Sequence, residues 1–150
     1  MIDAGEIAPD FSLEDSQGNE VTLSDCLVDG DLVLYFYPAD FSPVCTAEAC
    51  AFRDKYDDLA DVGTRIVGIS PQGKASHARF VSRYSIPFPI LSDPRKTAIR
   101  AYGVNGPLGM GVRRATFLIG QDGKVKQRVV SDLSVLSHSD MIRKIIRQAG

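Results

Sequence analysis

Leu32-Val-Leu-Tyr-Phe-Tyr37 runs directly into Pro38-Ala-Asp-Phe-Ser42-Pro-Val-Cys45-Thr-Ala-Glu48-Ala-Cys50. The unbroken apolar and aromatic run predicts a central strand buried on both faces. Pro38 then turns the chain. Ser42 followed by Pro43 is the pattern of a helix start, with a hydroxyl residue at the N-cap and proline at the first helical position. Cys45 therefore falls in the first turn of a helix, at the positive end of its dipole. That is one of the few environments that favour a reactive thiolate over a thiol. A second thiol, Cys50, follows within the same helix.

Outward from this stretch the chain alternates strands and helices. Residues 10–14 and 20–23 flank Ser16-Gln-Gly18-Asn as a short hairpin, and Ser24-Asp-Cys26-Leu starts a brief helical turn. The helix carrying Cys45 is expected over residues 43–60, a second buried strand over 64–69, and a helix over 73–84. A short strand at 88–91, a helix at 94–102, and strands at 115–119 and 124–130 around Gln121-Asp-Gly123 follow. The last helix, residues 138–148, places Met141, Ile142, Ile145 and Ile146 on one face. The Gly103–Gly111 segment reads as a connector. Together these predict an α/β fold: a central mixed sheet flanked by helices, with an N-terminal β-hairpin. Ligands in such folds bind beyond the carboxyl ends of the central strands, which is where Cys45 lies.

Composition narrows the classes of function. The chain has 150 residues, 44% hydrophobic and 24% charged, and reads as a single domain spanning 1–150. Its 17 basic and 19 acidic residues are spread along the sequence, a pattern that points away from nucleic acid and from electrostatic membrane anchoring. The opening Met1-Ile-Asp-Ala-Gly-Glu has no basic segment followed by an apolar one, so no secretory signal is expected. Three cysteines are an odd number, unlike a secreted disulfide framework, and a cytoplasmic location follows.

The two central thiols are separable on a helical wheel. Stepping 100° per residue from Cys45 puts Ala49, Phe52, Tyr56 and Leu59 within about 40° of it. Cys50 falls about 140° away, beside Asp54 and Asp57 on the polar side, so packing explains it poorly. Residues five apart on a helix have Cα atoms roughly 8–9 Å apart. A disulfide needs less than about 7 Å, so Cys45 and Cys50 can bond only if the first turns unwind. A metal site needs further soft ligands, and only Cys26, His77 and His138 remain, scattered and without ligand spacing. Cys26 reads as structural and His77 as a solvated helix residue.

The run Pro38-x-x-x-Ser42-x-x-Cys45 resembles the Pro-x-x-x-Thr/Ser-x-x-Cys signature of peroxiredoxins. Its extension Cys45-Thr-Ala-Glu48-Ala-Cys50-x-Phe-Arg-Asp is similar to the Q-type subgroup, the bacterioferritin comigratory proteins. Gly5-x-x-Ala8-Pro9-Asp10-Phe11-x-Leu13 and Arg114-Ala-Thr-Phe117-Leu-Ile resemble the flanking family segments, so the likeness covers nearly the whole chain. The resemblance implies a thioredoxin-like fold and thiol-dependent reduction of hydrogen peroxide and organic hydroperoxides, with no metal or organic cofactor. It makes Cys45 the peroxidatic nucleophile and Cys50 the resolving thiol. Ser42 would hydrogen-bond the sulfur and the peroxide, and Pro38 would shield the pocket. Arg114 would stabilise the thiolate, and Glu48 would orient that guanidinium. Thioredoxin or a similar dithiol would be the reductant, and a monomer is implied. Position 42 is Ser where Thr is commoner, and Arg113 competes with Arg114 for the pocket role. Spacing to Phe117 favours Arg114.

Two other readings use the same residues. A redox sensor or relay would pass its disulfide to a partner protein instead of turning over peroxide. A non-catalytic binding module would leave Cys45 titrating near the free value of about 8.5.

Overall fold

The computed structural model describes residues 1–149. Its strands are β1 (Ser12–Asp15), β2 (Glu20–Thr22), β3 (Leu32–Phe36), β4 (Arg65–Ser70), β5 (Ile90–Ser92), β6 (Ala115–Ile119) and β7 (Val125–Val130). Its helices are α1 (Leu23–Cys26), α2 (Pro43–Asp54), α3 (Tyr56–Asp61), α4 (Lys74–Tyr84), α5 (Thr97–Ala101) and α6 (Val135–Ala149), with a 3₁₀ turn at Pro107–Gly109. The strands form one sheet in the order β2-β1-β5-β4-β3-β6-β7. β3 pairs parallel with β4 and antiparallel with β6, so the sheet is mixed. β1 and β2 form the expected N-terminal antiparallel pair.

β3 is buried along its whole length because both faces of the sheet are covered. Strand alternation sends Leu32, Leu34 and Phe36 into a core with Val67, Ile69, Ile99 and Phe117 on the α1 and α5 side. Val33, Tyr35 and Tyr37 enter a second core with Cys45, Ala49, Phe52, Leu59, Phe80 and Ile142. That second face carries α2, α3, α4 and α6.

Three details differ from the sequence reading. The helix expected over 43–60 is two helices. Lys55 (φ −106°, ψ 3°) leaves helical geometry, and its N–H bonds to the Phe52 carbonyl at 3.1 Å. The tightened turn re-aims α3, which buries Leu59. The last helix starts at Val135 rather than 138, and within it Met141 and Ile142 are buried while Ile145 and Ile146 are half-buried. Finally, α5 is shorter than expected: Lys96 stands in a left-handed conformation just before it (φ 56°).

Gly68 marks a close approach inside the second core. A Cβ there would lie 2.9 Å from Ile90 Cδ1 and from two ring carbons of Tyr35. Gly68→Ala is expected to lower stability by about 1–3 kcal/mol through overpacking. A reduced urea midpoint with unchanged slope would show it, and an unaltered midpoint would mean that Tyr35 and Ile90 yield freely.

Candidate active site

Register explains why distant residues meet. In the antiparallel β3–β6 pair Phe36 lies opposite Ala115 and Tyr35 opposite Thr116. One step beyond the pair, Arg114 therefore falls beside Tyr37, at the carboxyl end of β3. Residues opposite one another share a face, so Arg114 and Thr116 point toward the α2 and α6 side, and Arg113 points away. The chain leaves β3 at that same edge, turns through Pro38 and enters α2, bringing Cys45 back over the end of the strand.

The result is a buried triad. Arg114 Nη1 donates to Cys45 Sγ at 3.2 Å and to Glu48 Oε1 at 3.2 Å. Cys45 is 1% exposed, Glu48 0% and Arg114 5%. Glu48 stands three residues after Cys45, so the two project from neighbouring positions on α2 and one guanidinium spans both. Arg114 is itself fixed from behind: its backbone N–H donates to Asp132 Oδ1 at 3.0 Å and its Nε to the Asp132 carbonyl at 3.2 Å. Arg113 is 40% exposed in its side chain and pairs with the Asp132 carboxylate at the surface. The structure thus brings Arg114, not Arg113, to the sulfur.

The electrostatics follow from burial. Desolvation pushes the Glu48 carboxyl up to about 7, with Arg114 pulling the other way. Burial also opposes the charge on Arg114, but the hydrogen bond to Cys45 and the charge of Glu48 outweigh it and hold its pKa above the ordinary value. Behind Glu48 lies His138 of α6, fully buried. Its Nε2 donates to the Ser131 carbonyl at 2.9 Å, and Thr116 Oγ1 meets Nδ1 at 2.7 Å. Glu48 Oε2 is 3.6 Å from Nδ1 and has no hydrogen-bond partner.

The segment between Pro38 and Ser42 is anchored by Asp40. Its carboxylate accepts from Tyr37 Oη at 2.5 Å and Ser76 Oγ at 2.7 Å, and lies 2.6 Å from His77 Nδ1. Its backbone N–H donates to Gln72 Oε1. These bonds outweigh desolvation and hold the Asp40 carboxyl below its usual range. Phe41 follows in a left-handed conformation (φ 66°), its ring edge-on to Phe80 at 5.3 Å. A bulky residue there is strained, and the Asp40 anchor on one side and the Phe80 contact on the other hold it in place.

Each residue singled out from the sequence can now be placed. Cys45, Glu48 and Arg114 form the triad. Pro38 and Ser42 are half-buried on the loop leading to it. Ser42 occupies the N-cap of α2, but its hydroxyl donates to the Ala39 carbonyl at 2.9 Å rather than to the sulfur or to a helix N–H. Cys50 is half-buried on α2, and all three cysteines are free thiols. Cys26 is buried, with its thiol pushed up to about 11 by desolvation. His77 corrects the expectation of a solvated residue: it is fully buried against Asp40. Asp40, Thr116, His138 and Asp132 were not anticipated. The two histidines left a signal in the sequence: His77 shares a helical stripe with Phe80, Val81 and Tyr84, and His138 shares one with Met141, Ile142 and Ile145.

Known proteins resemble this chain over most of its length. The profile of the AhpC/TSA family matches residues 4–128. Peroxiredoxin Bcp of Bacillus subtilis is 37% identical, over 95% of this chain and 99% of that one. The crystal structure of peroxidoxin BcpB from Mycobacterium tuberculosis superposes with a TM-score of 0.92 at 38% identity, covering 99% of this chain and 98% of that one. A bacterioferritin comigratory protein of Xanthomonas campestris, studied for alkyl peroxide reduction, gives 0.87 at 30% identity, covering 99% and 100%. The shared fold is thioredoxin-like.

Glu48 makes a checkable contribution to stability. The folded state keeps the Glu48 proton up to about 7, whereas an ordinary carboxyl releases it near 4.5. Protons are then bound more by the native than the unfolded state, so this contribution is complete at acid pH and is lost as pH rises through that window. Urea titrations across the window should show a stability decline in the parent protein that Glu48→Gln flattens. An identical decline in the variant would contradict the assignment.

Proposed function

The chain belongs to the AhpC/TSA family of peroxiredoxins and is a thiol peroxidase; on that premise we propose that Cys45 is the sulfur that attacks peroxide and Cys50 the thiol that resolves it. The observation that carries this reading is the single guanidinium of Arg114 bonded to both Cys45 Sγ and Glu48 Oε1. A cation at hydrogen-bond distance favours the thiolate, and the α2 N-terminus adds its own positive potential.

The thiolate attacks the terminal oxygen of ROOH. An S–O bond forms, the O–O bond breaks, and RO⁻ leaves and takes up a proton, giving a sulfenic acid and ROH. In this reading Arg114 stabilises charge on the attacked and departing oxygens, which is where donors lower the barrier most. Pro38 and Ser42 line the approach. The Cys50 thiol then displaces hydroxide from the sulfenic sulfur, yielding water and a Cys45–Cys50 disulfide. Helix geometry forbids that bond while α2 is intact, so its first turns unwind during the cycle. A dithiol of the thioredoxin type returns the disulfide to two thiols. Hydrogen peroxide and organic hydroperoxides are the proposed substrates, the latter in line with the alkyl peroxide reduction studied in the Xanthomonas relative. No helix among the described residues is long and apolar enough to cross a membrane. A cytoplasmic monomer is the proposed working form.

A coupled peroxidase assay tests the two thiols. Cys45→Ser should be inactive, while Cys50→Ser should turn over only with small-thiol reductants. Non-reducing peptide maps after stoichiometric peroxide should contain a Cys45–Cys50 linkage; a map without it would refute the resolving role. Arg114→Ala should slow the reaction of Cys45 with peroxide by about 10²-fold or more, the loss typical of removing one charge-stabilising donor. Arg113→Ala should lie close to the parent, and equal, small losses would overturn the choice of Arg114.

A further inference from the structure

The triad leaves one hydrogen unaccounted for. A backbone carbonyl can only accept, so His138 Nε2, 2.9 Å from the Ser131 carbonyl, must carry a hydrogen. A neutral His138 ring then turns a lone pair at Nδ1 toward both Thr116 Oγ1, 2.7 Å away, and Glu48 Oε2, 3.6 Å away. Thr116 can donate to that lone pair. Glu48 Oε2 can do nothing as an anion: it is buried, has no donor, and faces a lone pair. An ionised carboxylate with one oxygen so placed is costly.

Charge counting leads to the same place. With Cys45 as thiolate and Arg114 as guanidinium, an ionised Glu48 would give the buried cluster a net negative charge; a proton on the carboxyl makes it neutral. Among the described residues, Tyr35 on β3 also acts on Glu48, and Asp132 beyond β7 on His138. Burial moves the two members in opposite directions, Glu48 up to about 7 and His138 below its usual range, which puts the proton on the carboxyl.

We propose that Glu48, with His138 at its back, holds a proton while Cys45 is a thiolate and gives it up when peroxide oxidises the sulfur. This rests on the peroxidase reading above. Oxidation removes the negative charge from sulfur, and the guanidinium then takes the Glu48 carboxylate, 3.2 Å away, as its counter-ion. The balance is thiolate plus ROOH plus protonated Glu48, giving sulfenic acid, ROH and ionised Glu48. The S–O bond replaces the O–O bond, and the hydrogen gained by the departing oxide matches the one lost by Glu48, so the solvent supplies none in net. His138 acts as a positioning residue: its neutral Nδ1 offers Oε2 no hydrogen bond and so keeps the carboxyl protonated.

The test counts protons. Reduced Cys50→Ser protein, with Cys45 confirmed as thiolate by ultraviolet absorbance, is mixed with one equivalent of hydrogen peroxide in weak buffer containing a pH-indicator dye, at about pH 6, below the value to which burial lifts the Glu48 carboxyl. Proton uptake from solvent should be close to zero per oxidised sulfur. It should rise to about one when Glu48→Gln is added, because the oxide then draws its hydrogen from water. His138→Asn, which can donate an amide hydrogen to Oε2 and so favour the carboxylate, should move uptake in the same direction. Infrared difference spectra of the Cys50→Ser protein alone should lose a protonated-carboxyl C=O band on oxidation. Uptake of about one proton with Glu48 and His138 both present, and no such band, would overturn the proposal. An unchanged count in His138→Asn would remove His138 from it. If mass spectrometry finds no oxygen on Cys45, the peroxidase reading fails and takes this inference with it.

Discussion

One guanidinium, Arg114, bonds both the Cys45 sulfur and the Glu48 carboxyl, and the site is organised around it. A buried guanidinium is costly unless its donors find partners, and a buried thiolate or carboxylate is equally costly alone. Each makes the others tolerable. Removing any one leaves an uncompensated group in a site with almost no exposure to water. Two features of the fold enforce it. The β3–β6 register puts Arg114 on the α2 face at the end of the central strand, and the α2 helix start puts Cys45 above it.

The surroundings divide into parts that must hold and a part that must give. The Asp40 network ties the segment before α2 to Tyr37 on one side and to Ser76 and His77 of α4 on the other. Asp132 pins Arg114 from behind. Between these anchors lie the first turns of α2, the segment that the proposed Cys45–Cys50 disulfide would require to open. Cys50, further along α2, is only half-buried and stands outside the core cluster that holds Cys45, Ala49 and Phe52.

Much of this was legible in the sequence because the decisive signals are local. The apolar run at Leu32–Tyr37, the Ser42-Pro43 helix start and the five-residue spacing of the thiols do not depend on the rest of the fold. Spacing to Phe117 favours Arg114 over Arg113, and strand parity in the β3–β6 pair gives that preference a physical cause. What escaped was tertiary. His77 and His138 looked unremarkable as isolated polar residues, and only the packing of α4 and α6 onto the sheet buries them beside Asp40 and Glu48. Their place on apolar stripes is visible in the sequence, but a stripe alone does not say what a buried histidine meets. The direction of the Ser42 hydroxyl depends on where Ala39 turns its carbonyl, and the break at Lys55 on how α3 seats Leu59. Neither is written in local spacing.

The most direct test of the central claim is competition among the three cysteines for limiting peroxide. Fully reduced protein is treated with less than one equivalent, trapped with a sulfenic-acid reagent, and the tagged peptides are quantified by mass spectrometry. The tag, or the disulfide that follows from it, is expected at Cys45, while Cys26 stays unmodified and Cys50 is found only in linkage with Cys45. Oxidation arriving first at Cys26 or at an isolated Cys50, with Cys45 untouched, would contradict it.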